Sequence, residues 1–381
     1  MTIHWCGTGL SAIPGLRRLI EAGREVVVWN RTVTTAEKAV GDIQKDIRAF
    51  EMSAITDATQ AGDIVVSMLP GDWHVPLAEM CIAKGAHFVS SSYIAPEMRA
   101  LDDAAKAAGI VSMNEVGLDP GIDHLMAHVL VADYRSSEAY DVDNELSFIS
   151  YCGGIPRTPN PFRYKFSWSP LGVLKALRSP SKSIRDFKEF NVTRPWDAIS
   201  SYTAPLASPE AFEVYPNRDS LPFIEDYDLQ GEANIKEFVR GTLRLNGWKE
   251  AWSDVFAEIE TLSGPEGDAR LAEMSSQFWS ENAYDEGEPD RVVMCVALKA
   301  ERDGIVQYHK TYTMDAWGTD ESTAMARLVS VPVSLAIDAV LEGRLEPGVQ
   351  PAPNTMELVQ PWLTEVKALA QHLEIVDHLQ G

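Results

Sequence analysis

The chain has 381 residues, 45% of them hydrophobic, with 33 basic against 56 acidic side chains and a formal charge of −23. That length exceeds one ordinary core and predicts two or three domains at about 150 residues each. So acidic a surface repels phosphate backbones and anionic lipid, which sets nucleic-acid and membrane roles aside. No stretch approaches the roughly 20 uninterrupted apolar residues of a membrane span. The opening MTIHWCGTGL lacks the basic region of an export signal. The scattered cysteines Cys6, Cys81, Cys152 and Cys295 form no zinc-ligand grouping and read as reduced thiols of a cytoplasmic protein.

Residues 2–6 predict a buried strand that runs into Gly7-Thr8-Gly9-Leu10-Ser11-Ala12. A helical stripe follows at Ile13, Leu16, Leu19 and Ile20, with Pro14 in its first turn, and residues 26–29 are a second strand. Further strands are expected at 64–69, 87–90 and 110–113, with helices at 74–84 and 97–108. Residues 144–170 are rich in aromatics, Pro and Gly, and 186–230 hold short strand-like pieces. Residues 231–283 look helical, 292–298 and 304–309 read as a hairpin, and 321–342 as a long apolar helix closed by Gly343. The expected class is α/β. A Rossmann doubly wound parallel sheet fills 1–120, with 320–381 returning to it, and a mixed α/β substrate domain fills 121–319, with a helical insert at about 231–283.

Gly7 permits a tight turn, Gly9 lets backbone approach a pyrophosphate, and Ala12 allows close helix–strand packing. Two glycines alone mark many turns; their place between a strand and a helix points to dinucleotide binding. At the end of the second strand stand Asn30-Arg31-Thr32, with no carboxylate for a ribose 2′-hydroxyl. A guanidinium and a hydroxyl suit a 2′-phosphate, so the expected cofactor is NADP(H).

His124 and His128 are four apart, after Asp119 and Asp123. No third ligand has telling spacing, and the Pro120-Gly121 turn reads as a helix entry, so no metal is expected. Cys152, at a strand end before two glycines, fits either an inert thiol or a functional one. Trp168, among interleaved polar and apolar residues, suits a core or a pocket wall. The clusters 217–220 (NRDS) and 240–244 (RGTLR) are either solvated loops or local positive charge able to hold a carboxylate.

Together the runs 115–124 (EVGLDPGIDH), 150–154 (SYCGG), 164–169 (YKFSWS), 215–220 (YPNRDS) and 240–244 (RGTLR) resemble, in order and rough spacing, the glutamate-forming branch of the saccharopine dehydrogenase family. The resemblance implies reduction by NADPH of the imine formed from glutamate and 2-aminoadipate 6-semialdehyde, giving saccharopine, and the reverse. It implies Tyr93, Asp119 and Cys152 as polar neighbours of the reacting nitrogen. Arg218 and Arg240 become the carboxylate grips, aided by Ser92, Asn217, Ser220 and Thr242. Leu10, Ser11, Met68, Leu69, Pro70, Leu118 and Trp168 complete the cofactor set with the loop and strand-end residues above.

The expected partner is a small amino-acid substrate, and the resemblance favours a homodimer. The chain departs from the family in the short 155–161 loop, in Ala12 as third glycine, and in Leu171 where members usually carry Arg. A carboxy(nor)spermidine dehydrogenase should favour acidic contacts over Arg218 and Arg240. A non-catalytic NADPH-binding regulator would not need Tyr93, Asp119 and Cys152 together.

Overall fold

In the computed structural model, which describes residues 1–380, the N-terminal apolar runs become short strands. They are β1 (Ile3–Cys6), β2 (Val26–Asn30), β3 (Ile47–Ala49), β4 (Ile64–Ser67), β5 (His87–Ser90) and β6 (Val111–Met113). β1 and β4 are buried throughout, which is why they read as unbroken apolar runs instead of alternating ones. A seventh strand, Gly348–Gln350, adds beside β6, and the order is Gly348–Gln350, β6, β5, β4, β1, β2, β3. Every pairing is parallel. The strand order reverses between β1 and β4, so their carboxyl ends form the topological switch point where such sheets bind ligands.

The helix Ile13–Glu21 carries Pro14 in its first turn. Its Gly15 N–H donates to Ser330 Oγ at 2.8 Å, and a Cβ on Gly15 would collide with the backbone carbonyl of Ser330. Ser330 belongs to the helix Ala324–Leu341, whose mean hydropathy of 1.7 would suit a membrane span although 83% of it is buried inside the protein. The expected helix at 97–108 is two short ones, Pro96–Arg99 and Asp102–Ala108.

By their contacts the residues form two units: Met1–Leu125 with Ala326–Val366, and Met126–Met325 with the residues from Lys367 on. The expected return of 320–381 to the first unit therefore covers 326–366. Beyond it, the strand His372–Asp377 pairs antiparallel with the second unit's sheet.

That sheet comprises β7 (Glu145–Pro156), β8 (Ser181–Arg185), β9 (Lys188–Val192), β10 (Ser200–Ala204), β11 (Glu210–Pro216), β12 (Ile235–Leu245), β13 (Asp290–Arg302), β14 (Ile305–Trp317) and His372–Asp377. Its order is β10, β11, β12, β7, β13, β14, His372–Asp377, with the β8–β9 hairpin attached to β12. The β12–β7 pair is parallel and its neighbours antiparallel. The expected helical insert at 231–283 is thus corrected: 235–245 is a central strand, and helices begin only at Trp248. The helices Ser253–Thr261 and Gly264–Asn282 bury Phe256, Ile259, Leu271 and Phe278 against Tyr164, Phe166, Trp248 and Trp252.

Candidate active site

Gly7 follows β1 at φ 104°. A Cβ there would stand 2.7 Å from Met68 O at the end of β4, so only glycine lets the two strand ends approach so closely. Gly9 faces open space, and Ala12, buried, donates its N–H to Gly9 O at 3.1 Å. Leu10 is exposed and Ser11 half-buried at the helix entry. Asn30 ties this loop to the end of β2: its Oδ1 accepts from Thr8 N at 3.2 Å and its Nδ2 donates to Thr32 O at 2.8 Å. Arg31 and Thr32 are exposed beside it. Met68 and Leu69 are half-buried and Pro70 is exposed after β4. The buried Thr8 Oγ1 has no hydrogen-bond partner, a donor waiting for an acceptor. The open glycine, the orphaned hydroxyl and a β2 end without a carboxylate all fit a phosphorylated dinucleotide.

On the same unit, Tyr93 Oη donates to Asp119 Oδ1 at 3.2 Å. Leu118 is buried just before that aspartate. Ser92 Oγ lies 2.8 Å from His74 Nε2, and His74 Nδ1 lies 2.8 Å from Ser67 Oγ at the end of β4. Burial lowers the His74 pKa from its usual 6.5 to about 4. The ring therefore stays neutral and bridges the two hydroxyls with one donor and one acceptor nitrogen. Sequence reading passed over His74, and only its place on the apolar helix His74–Lys84 hinted at it.

The other site residues lie on the second unit. Cys152 of β7, buried, is level with Thr242 of β12 and opposite Met294 of β13. Arg240 is buried with its guanidinium 3.9 Å from the centre of the Phe223 ring. Its backbone N–H donates to Ser220 Oγ at 3.0 Å, and its carbonyl accepts from Asn217 N at 2.9 Å. Asn217 and Ser220 are thus fastened to β12, while Arg218 between them is exposed at φ 56°. Trp168 is half-buried against the aromatic cluster, and a Cβ on Gly172 would meet its ring at 2.6 Å. Leu171 packs on the same cluster, so the apolar residue is absorbed by its surroundings. His128 stacks edge-on to Tyr227, with centroids 5.7 Å apart.

The sequence places Arg244 in the 240–244 cluster but does not single it out as a grip. Strand alternation puts Arg240, Thr242 and Arg244 on one face of β12. Arg244 is 5% exposed, and its guanidinium lies 4.8, 5.7 and 5.4 Å from the ring centres of Tyr164, Tyr215 and Trp248. It donates to Leu243 O at 3.1 Å and makes a side-chain hydrogen bond with the Tyr215 phenol, while its Nε has no hydrogen-bond partner among the described residues. Tyr164 Oη, Trp248 Nε1 and Ser167 Oγ are likewise buried without partners. Burial pushes the Tyr215 phenol up, with Arg244 and then Thr242 opposing. A buried guanidinium without a carboxylate is costly alone and is a ready grip for an incoming one. The signal was the i, i+2, i+4 spacing, once the segment is known to be a strand.

The two units so built are a dinucleotide-type sheet and a substrate-type sheet, the pairing of a two-part dehydrogenase. Residues 6–113 match the saccharopine dehydrogenase NADP binding domain and residues 117–369 the saccharopine dehydrogenase C-terminal domain. The chain belongs to the saccharopine dehydrogenase family. It is 29% identical to the saccharopine dehydrogenase [NADP(+), L-glutamate-forming] of Pyricularia oryzae over 95% of both chains. To the Saccharomyces cerevisiae enzyme of that name it is 30% identical, over 90% of this chain and 91% of the other. The solved apo saccharopine dehydrogenase (L-Glu forming) from Saccharomyces cerevisiae superposes with a TM-score of 0.81 at 25% identity over 99% of each chain.

Proposed function

We propose that this protein is an NADP(H)-dependent oxidoreductase acting on a C–N bond, interconverting saccharopine with glutamate and 2-aminoadipate 6-semialdehyde in lysine metabolism. One observation carries the reading: in a protein of charge −23, Arg240, Thr242 and the buried Arg244 share one face of β12. A substrate with three carboxylates calls for such grips. The likeness to glutamate-forming relatives over nearly the whole chain supports the same substrate.

When bound, NADPH supplies a hydride to the imine carbon, and the reverse reaction returns it. The rest is the work of the chain's own residues. Thr8, Gly9 and the helix start at Ile13 hold the pyrophosphate, and Arg31 with Thr32 the 2′-phosphate; Leu10, Ser11, Ala12, Asn30, Met68, Leu69, Pro70, Leu118 and Trp168 line the remainder. Arg218, Arg240 and Arg244 grip carboxylates, assisted by Ser92, Asn217, Ser220 and Thr242. Tyr93, Asp119 and Cys152 are the polar neighbours of the reacting nitrogen. The 3.2 Å bond from Tyr93 to Asp119 orients the phenol for a relay: as its oxygen takes a proton from the nitrogen its own proton passes to Asp119, and the same path run backwards returns a proton to the nitrogen. A positioned acid–base group of this kind is worth about 10²–10⁴ in rate.

The test follows the reduced-nicotinamide absorbance band with saccharopine and either NADP⁺ or NAD⁺. Preferred reduction of NADP⁺ with glutamate among the products is expected. Lysine and 2-oxoglutarate as products, or no turnover, would overturn the reading. Arg31→Asp should shift the NADP⁺ over NAD⁺ preference by about ten- to hundredfold, the worth of one charge-assisted pair.

A further inference from the structure

We infer that Glu115, paired with His124, is a positioning residue that holds Tyr93 against Asp119; the inference rests on the role given to those two residues above. Glu115 follows β6 at φ 56°, the left-handed region where a side chain with a Cβ is strained. Glycine would take this backbone at lower cost, so the position is occupied for its side chain. That side chain is buried, and one oxygen, Oε1, accepts from Ile94 N at 2.8 Å. Glu115 N donates to Ser92 O at 3.0 Å. The two bonds clasp the segment 92–94 on either side of Tyr93.

The other oxygen meets His124 as a close ion-pair contact outside hydrogen-bond geometry. Glu115 Oε2 lies 3.1 Å from His124 Nε2, and His124 Nδ1 lies 4.0 Å from Asp123 Oδ2, with all three side chains at most 5% exposed. Asp123 Oδ1 in turn accepts from Gly121 N at 2.7 Å. Gly117 N donates to Pro120 O at 3.0 Å, and Ile122 N to Gly117 O at 3.1 Å, closing the 117–122 loop on itself with Asp119 at its tip. A single carboxylate therefore ties the strand-end segment bearing Tyr93 to the loop bearing Asp119. Misplacing a reacting group by about 1 Å costs on the order of a hundredfold in rate, so the tie is written into turnover more than into substrate affinity.

The test compares Glu115→Ala, Glu115→Gln and Glu115→Asp in the full-length protein, with turnover normalised to NADPH-binding sites. Glu115→Ala should lower kcat for saccharopine by about thirty- to hundredfold, with KM within threefold and NADPH affinity within twofold. Glu115→Gln should recover kcat to within fivefold, because its amide keeps the length of the side chain and its oxygen still accepts from Ile94 N. Glu115→Asp keeps the charge but loses reach, should behave like the alanine variant, and takes its place if that variant does not fold. In a Tyr93→Phe background Glu115→Ala should cost little more, since both act through one phenol. Hydrogen exchange at Ile94 N should quicken in Glu115→Ala and stay slow in Glu115→Gln. Folded Glu115→Ala or Glu115→Asp with wild-type kcat, or loss of kcat equal in Glu115→Gln and Glu115→Ala, would overturn the inference. A wild-type protein that binds NADPH but does not turn over saccharopine would overturn the functional reading itself, and this inference with it.

Discussion

Arg244 is boxed by Tyr164, Tyr215 and Trp248 and donates to the backbone carbonyl of Leu243. Removing a buried charge in favour of an apolar side chain of similar volume is often neutral or stabilising. Arg244→Met should therefore leave the melting temperature of the ligand-free protein unchanged or raised. The same variant should lose about a hundredfold or more in kcat/KM for saccharopine, as expected of a lost charge-assisted bidentate pair. Calorimetry on the free protein and steady-state kinetics check the two halves separately; a fall in stability with kinetics intact would mean the guanidinium is only a packing element. At this scale the sequence was half-readable. Asn30-Arg31-Thr32 could be interpreted because the strand before it and the glycine loop fixed its place in the βαβ unit. Arg244 could not, because the use of RGTLR depends on which residues share a face, and that in turn on whether the segment is helix or strand.

Among the elements, Gly15 decides how closely the helix Ile13–Glu21 meets the helix Ala324–Leu341. The obstruction met by a Cβ is the backbone carbonyl of Ser330, so Gly15→Ala should cost about 3 kcal/mol, the upper range for overpacking. Ser330→Gly should not rescue it; thermal unfolding of the single and double variants checks both.

The strand ends also carry a pH dependence through His74, which bridges Ser67 and Ser92. Burial puts its folded pKa at about 4, below the usual 6.5. Between those values the unfolded chain takes up a proton that the folded one refuses, so this contribution is full above pH 6.5 and lost as pH falls toward 4. Urea titrations should show about 2 kcal/mol lost between pH 7 and 5, and His74→Gln should remove that part of the slope. The parallel strands of the first unit were legible as elements because burial on both faces leaves plain apolar runs. β12 was not: its polar face, the buried Arg240 and Arg244 with half-buried Thr242 between them, interrupts the apolar pattern, and a run of true helices follows it. The strand His372–Asp377 was missed for the opposite reason, since it is a short, half-exposed sheet edge with little apolar signal.

For the whole molecule, the charge of −23 opposes the approach of a phosphorylated cofactor, while the groups proposed to hold it act only at close range. Screening the distant acids should raise kcat/KM for NADP⁺ about threefold between roughly 10 and 150 mM salt, as the Debye length shrinks from about 30 to 8 Å. A monotonic fall over that range, in steady-state assays at fixed saccharopine, would mean that local cations dominate the encounter. The first unit has one further property: it is discontinuous in the chain, and its seventh strand, Gly348–Gln350, pairs with β6 across more than half of the sequence. During synthesis the β6 edge and the surface awaiting the helix Ala324–Leu341 stay uncovered while residues 126–325 of the second unit are being made. At roughly 5–20 residues per second that interval lasts some tens of seconds. The unit that begins first is therefore completed late, and the nascent chain spends that time with an unpaired parallel edge, a state prone to aggregation that chaperones are suited to shield.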